Sequence, residues 1–198
     1  MEIFPDQPVV YFFNGIANIQ KKNFAEAISS LNTGVKMVVD NKNLEGQFYT
    51  NLGDAYNELK DYVKSDENYE KALSLNPNDA NVLNNYAYYL SIREVNLDKA
   101  EQMSRQSNEL EPTQASYQDT YGWIMYKMNK LDDAKIWIEK SISNGAVNSA
   151  AVLEHYGDIL FKLGDTARAF ENWQKAKEAG EGASEFLDKK ILEKKLFE

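Results

Sequence analysis

The chain has 198 residues, 43% of them hydrophobic, enough for one or two folded domains and too apolar for a disordered segment. A formal net charge of −9 argues against nucleic-acid binding, which needs clustered Lys and Arg, and favours basic or neutral partners. The absence of cysteine excludes disulfides, thiolate catalysis and Cys-based metal sites, and no apolar run approaches the roughly 20 residues that cross a bilayer.

Residues 1–8 lack the basic start and apolar run of a signal peptide. They align with residues 72–79, Pro5 falling on Pro77, so they read as the tail of a helix followed by its turn. On that reading the chain is expected to be part of a longer array, with earlier helices upstream. The next helix is apolar almost all round, through Val9, Val10, Tyr11, Phe12, Phe13, Ile16 and Ile19, as expected of a helix that is normally covered. Val9, Phe12, Phe13 and Ile16 are therefore candidates for an interface.

Further along, five segments share one pattern, at 14–28, 52–66, 86–101, 121–135 and 156–170. Each carries a small residue in its first helix, namely Gly15, Gly53, Ala87, Gly122 and Gly157, at separations of 38, 34, 35 and 35. A second small column follows at Ala27, Ser65, Ala100, Ala134 and Ala169, and a third at Gly34, Ala72, Ser107, Ser141 and Ala176. A glycine inside a helix costs roughly 0.5–1 kcal/mol relative to alanine, so four in one register point to close helix–helix approach. Turn signals separate the helices at Asn23, Asp61 and Gly164-Asp165, and Pro77 and Pro112 follow the ends of two second helices. About four extra residues around 40–43 are expected to add a turn to the second helix of the first unit. One more falls near Glu94, and Asn14 and Ser104 stand where larger apolar residues are usual.

At these columns the sequence resembles the tetratricopeptide repeat, a helix-turn-helix unit of about 34 residues. The resemblance spans nearly the whole chain and implies an all-α, right-handed solenoid of about five repeats forming a single superhelical domain over 1–198. The repeats fall near 8–41, 46–79, 80–114, 115–149 and 150–182, with a capping helix at 183–197. Lys189, Lys190, Lys194 and Lys195 are expected on the solvated face of that last helix. The segments 119–123 and 154–158, followed by 173–176, are also similar to the C-terminal arrays of bacterial tetratricopeptide proteins, many of them exported to the envelope. That similarity points to the periplasm or cell envelope ahead of the cytoplasm.

Stacked hairpins of this kind present their first helices along a concave groove, and helical spacing names the residues that face it. They are Thr50, Asp54, Asn57 and Glu58; Asn84, Tyr88, Ser91 and Ile92; Asp119, Trp123, Tyr126 and Lys127; and Glu154, Asp158, Phe161 and Lys162. Asn51 and Asn85 can hydrogen-bond a peptide backbone, while Tyr88, Trp123 and Tyr126 are aromatic anchors. Phe161 reads as core, whereas Tyr88 and Trp123 read equally as core or anchor. Some tetratricopeptide domains grip a terminal carboxylate with Lys, Arg and Asn. The matching places here hold Phe12, Ile16, Asn51, Asn81 and Asn85, of which Asn51 alone fits, so that mode is not expected.

His155 is the single histidine, and Glu154 with Asp158 forms an i, i+4 carboxylate pair that reads as a solvated face ahead of a metal site. No phosphate loop, nucleophile elbow or metal motif is present. The sequence thus reads as a non-enzymatic module without cofactor or metal, which does not insert in membranes and holds a protein or peptide in its groove. The alternative is an assembly subunit that docks or forms a homodimer through its apolar N-terminal repeat.

Overall fold

The computed structural model describes residues 7–197, all-helical apart from turns and loops. Among the described residues, α1 (Pro8–Gln20) packs with α2 (Phe24–Val35), α3 (Lys42–Glu58) with α4 (Tyr62–Leu75), α7 (Ala115–Lys127) with α8 (Leu131–Ser143) and α9 (Ala150–Lys162) with α10 (Thr166–Ala179), while α5 (Ala80–Ile92) and α6 (Leu97–Leu110) follow one another as the third pair in chain order. A single 3₁₀ turn, Ala146–Asn148, precedes α9, and a short α11 (Leu187–Glu193) follows α10. The chain divides into two compact units, Met1–Tyr86 and Ala87–Glu198, the division falling within α5.

Within the first unit, the small column sits against large side chains. A Cβ on Gly15 would lie 2.5 Å from Leu31 Cγ, and one on Gly53 would lie 2.8 Å from the Tyr69 ring. Leu31, Phe48 and Leu52 are fully or almost fully buried, and the half-buried Phe12 meets Phe48 edge-on at 5.2 Å. Ser65 Oγ donates to the Gly53 carbonyl at 2.9 Å, so the second small column also ties the two helices of its hairpin. The extra residues at 40–43 do not lengthen α2, as the repeat spacing suggested. α2 stops at Val35 in tight i→i+3 turns (Met37 N–H to Gly34 O, Val38 N–H to Val35 O), and Asp40 takes a left-handed φ of 52°. Asn41 then caps the 17-residue α3 by accepting from Leu44 N–H, so the insertion is spent on a loop and a longer α3.

One glycine of α3 behaves differently. Gly46 has nothing within 4 Å of a built Cβ. Gly46→Ala is therefore expected to stabilise the chain by about 0.5–1 kcal/mol through helix propensity alone, read as a raised denaturation midpoint. A lower midpoint would show a contact that this geometry does not contain.

In the second unit the same column recurs: Gly122 against Ile138 (2.9 Å) and Gly157 against Trp173 Nε1 (2.5 Å) and the Ala169 carbonyl (3.1 Å). The extra residue near Glu94 is absorbed by two left-handed residues, Glu94 (φ 54°) and Asn96 (φ 50°). The C-terminal helix is shorter than the expected 183–197. Gly180 and Gly182 adopt positive φ, Ser184 is drawn onto Glu154, and Lys194 at φ 52° closes α11 after seven residues. Leu187, Ile191 and Leu196 pack with Leu153, Trp173 and Ala176, closing the end of the core.

Candidate ligand-binding groove

The residues expected to face a ligand divide by local packing. On α3, Thr50 is buried and its hydroxyl donates to the Gly46 carbonyl at 2.9 Å. Half-buried Asn51 donates Nδ2 to the Gln47 carbonyl (2.8 Å), and Asp54 accepts from the Tyr69 hydroxyl. Asn57 is buried with its Oδ1 unpartnered. On α5, the buried Asn84 donates to Asn85 Oδ1 at 3.3 Å and Asn85 to Asn81 Oδ1 at 3.3 Å, while Asn84 Oδ1 has no partner. Asn57 and Asn84 thus each bury an amide oxygen without a donor. Of the four interface candidates on α1, Val9 and Phe13 are exposed, Phe13 by 63%. Phe12 turns into the core against Phe48, and Ile16 is half-buried.

The second unit holds a cavity of ≈ 570 Å³. Tyr88 and Ile92 of α5, Trp123 and Lys127 of α7, and Glu154, His155 and Asp158 of α9 line one side. Residues 182–186 with Lys190 and Phe197 line the other. Trp123 stacks on His155 (ring centroids 4.1 Å, 19°) and on Tyr126 (4.8 Å, 17°). Its indole N–H is buried without an acceptor. Lys127 lies 5.0 Å over the indole and donates to Glu94 Oε1 at 2.8 Å, and Lys162 lies 4.2 Å over Tyr126. Tyr126 is 2% exposed and belongs to the core rather than to an open face, because Trp123 covers it. Phe161 stacks on Trp173 at 5.5 Å and is core as well.

Asp158 is likewise not presented to solvent: it is 1% exposed and accepts from Trp173 Nε1–H at 2.8 Å and from Lys190 Nζ at 2.7 and 2.9 Å. Lys190 itself is 3% exposed, not on the solvated face where helical spacing placed it. It also donates to Glu154 Oε1 (2.7 Å), which accepts in addition from Ser184 Oγ (2.5 Å), while Glu154 Oε2 accepts from Ser184 N–H (2.6 Å). Sequence reasoning missed Ser184, Phe186, Lys190 and Phe197 as parts of this site. The available signal was Lys190 beside Ile191 and one turn after Leu187, inside the apolar stripe of α11.

Two carboxylates share one ammonium, and their titrations part. Burial raises the Asp158 pKa to about 6 against the pull of Lys190. Burial also opposes ionisation of Glu154, but the hydrogen bonds from Lys190 and Ser184 outweigh it and hold Glu154 below its ordinary 4.5. His155 loses hydration on burial, yet Asp119, bonded to Nδ1 at 2.9 Å, outweighs that loss and raises its pKa above 6.5. The His155 contribution is therefore complete below pH 6.5 and fades as pH rises through the raised value. The Glu154 contribution is present above 4.5 and is lost as pH falls through the lowered value. The cost of ionised Asp158 is full above about 6 and is relieved as pH falls from there toward 3.8. Together they make the combined contribution of these three groups greatest near pH 4.5, where His155 is charged, the cost of Asp158 is largely relieved and Glu154 is still ionised. The thermal midpoint is expected to fall between pH 5.5 and 8, less steeply in Asp119→Asn. A midpoint that rises over that interval would contradict this assignment.

Models of the tetratricopeptide repeat match residues 46–79 and 68–102. Among solved structures, PilW, a widely conserved type IV pilus biogenesis factor, aligns with TM-score 0.80 at 18% identity, over 94% of this chain and 84% of that one. PilF of Pseudomonas aeruginosa aligns with TM-score 0.75 at 22% identity, over 88% and 77%. A thermophilic tetratricopeptide protein of Thermus thermophilus gives 0.76 at 12% identity, over 94% and 97%. No curated protein sequence matches the chain. With its five helix pairs in chain order, its small-residue columns and these likenesses, the chain is a tetratricopeptide-repeat protein with the all-α solenoid fold of that class. Such repeats generally serve protein interaction or assembly and not catalysis. Among the described residues no helix is long and apolar enough to cross a membrane.

Proposed function

We propose that the second unit binds an extended segment of a partner protein across the inner faces of α5, α7 and α9. The observation that carries this reading is the cavity walled on one side by Tyr88 and Trp123. At ≈ 570 Å³ it has room for one or two side chains of a peptide, within the range of about 300–1,000 Å³ usual for binding pockets. Tyr88 and Trp123 offer rigid apolar area at little entropic cost, and Lys127 suits a carboxylate in exchange for Glu94.

Tyr88→Ala/Trp123→Phe keeps an aromatic stack on His155 while removing half of the apolar wall. Partners captured from the source organism by the wild type, then purified, are expected to bind this variant at least tenfold more weakly, with an unchanged helical circular dichroism spectrum. Undiminished binding would remove the cavity from the reading.

A second reading rests on α1, where Val9 and the 63% exposed Phe13 present an apolar edge suited to assembly. The likeness to a type IV pilus biogenesis factor supports an assembly role at the cell envelope. Sedimentation distinguishes the two readings. A dimer abolished by Phe13→Asp supports self-association, whereas a monomer at all concentrations rejects it.

A further inference from the structure

The strap that follows α10 engages α9 in the way a bound peptide would. Glu154 and Asp158 stand at i, i+4 on the inner face of a first helix, in the register of Asn84 and Tyr88 on α5 and of Asp119 and Trp123 on α7. Apart from Trp173 Nε1–H on Asp158, their occupants come from outside the hairpin: a backbone N–H and a hydroxyl from Ser184, and the ammonium of Lys190, all within 2.5–2.9 Å. The strap reaches this place from a hinge, since Gly180 and Gly182 both hold positive φ that costs glycine nothing. Its helix is only seven residues long, far below the length that is stable alone, so its order depends on the seat. It also forms one wall of the cavity, through Ala183, Phe186 and Phe197.

We propose that the strap, residues 182–197, is an internal ligand of α9, filling the fifth repeat's share of the groove in cis. The carboxylates of Glu154 and Asp158 form a subsite for a lysine side chain, and a partner segment bearing lysine enters by exchanging with Lys190. This rests on the groove reading above and names the chemistry of its partner. Carboxylates at the base of an aromatic wall select an ammonium over an apolar side chain, because any other occupant would leave two buried charges unpaired. The overall charge of −9 favours the approach of such a basic segment. Tethering sets the strap at an effective concentration on the order of mM, so an untethered competitor at μM concentration is excluded until the strap loosens.

The test uses the full chain and a fluorescent synthetic peptide with the sequence of residues 182–198. In Lys190→Met, amides of 182–197 are expected to exchange with solvent at least tenfold faster while those of α7–α10 keep their protection. The peptide should bind this variant at least tenfold more tightly than the wild type. The same peptide carrying its own Lys190→Met substitution should lose that gain. Ser184→Ala, which removes one hydrogen bond and leaves the ammonium in place, provides a milder opening should Lys190→Met lose helicity, with an intermediate gain. A strap that stays protected in both variants overturns the proposal. So does a released strap with no preference between the two peptides. Because the probe is the chain's own sequence, success here with no groove-dependent partner would fault only the function proposed above.

Discussion

Lys190→Met is expected to lower the stability of the second unit by about 3–5 kcal/mol, the cost of removing one partner from a buried ionic cluster. The side chains of Lys190, Glu154 and Asp158 are 4%, 4% and 2% exposed, so the remaining carboxylates cannot recover hydration while the strap stays docked. They can do so by lifting the strap, which exposes Leu187 and the face of Trp173, so the loss is capped at the free energy of strap docking. Chemical denaturation of the wild type and variant at neutral pH reads the difference. The triple replacement Glu154→Gln/Asp158→Asn/Lys190→Met, which removes all three charges, should recover a substantial part of it. A loss below about 1 kcal/mol in the single variant would mean that the cluster is solvated, as the exposed Lys177–Asp188 pair is.

Gly157→Ala should be more damaging than Gly122→Ala, its counterpart in the preceding hairpin, at about 2–4 kcal/mol net. Alanine gains about 0.5–1 kcal/mol in helix propensity, but its Cβ would stand 2.5 Å from Trp173 Nε1 and 3.1 Å from the Ala169 carbonyl. The carbonyl is backbone and cannot yield cheaply. The indole is completely buried and could move only by giving up its hydrogen bond to Asp158, leaving a buried donor unpaired. At Gly122 a backbone carbonyl, that of Ala134, stands almost as near at 3.2 Å, but the nearest obstacle is the flexible end of Ile138 and not a hydrogen-bonded indole, so Gly122→Ala should cost less. Denaturation midpoints for the two variants give the order, and a larger loss at Gly122 would refute this account of the column.

Much of the architecture could be read from residue spacing because each hairpin repeats one packing solution. Gly53 on Tyr69 and Gly122 on Ile138 are the same contact, written at a period that survives the change of side chain. The loop at 36–41 was not legible, since an insertion of four residues can lengthen either neighbouring helix, and the choice fell to Asn41 as a cap. The groove was legible in part. Period and handedness pick out the face of α7 that carries Trp123, but they cannot show that Trp123 covers Tyr126. The fate of Asp158 was hidden for another reason. Its ammonium partner lies 32 residues later, in a strap outside the repeat register, and only tertiary structure joins the two.

Asp54 accepts from the ring hydroxyl of Tyr69, and Asp158 from the indole of Trp173, each fifteen residues on. In the third and fourth helix pairs that later position holds Met103 and Ile138, which have no hydrogen to donate, and the earlier one holds Tyr88 and Trp123. The plug on one helix thus decides whether its counterpart on the other is conscripted as its acceptor. Exchanging Ile138 for tryptophan would therefore demand an acid at 123, and recognition side chains can diversify only in hairpins with an aliphatic plug. Anyone recoding this surface for a new target should begin at 88 and 123, and should alter 54 or 158 only together with 69 or 173.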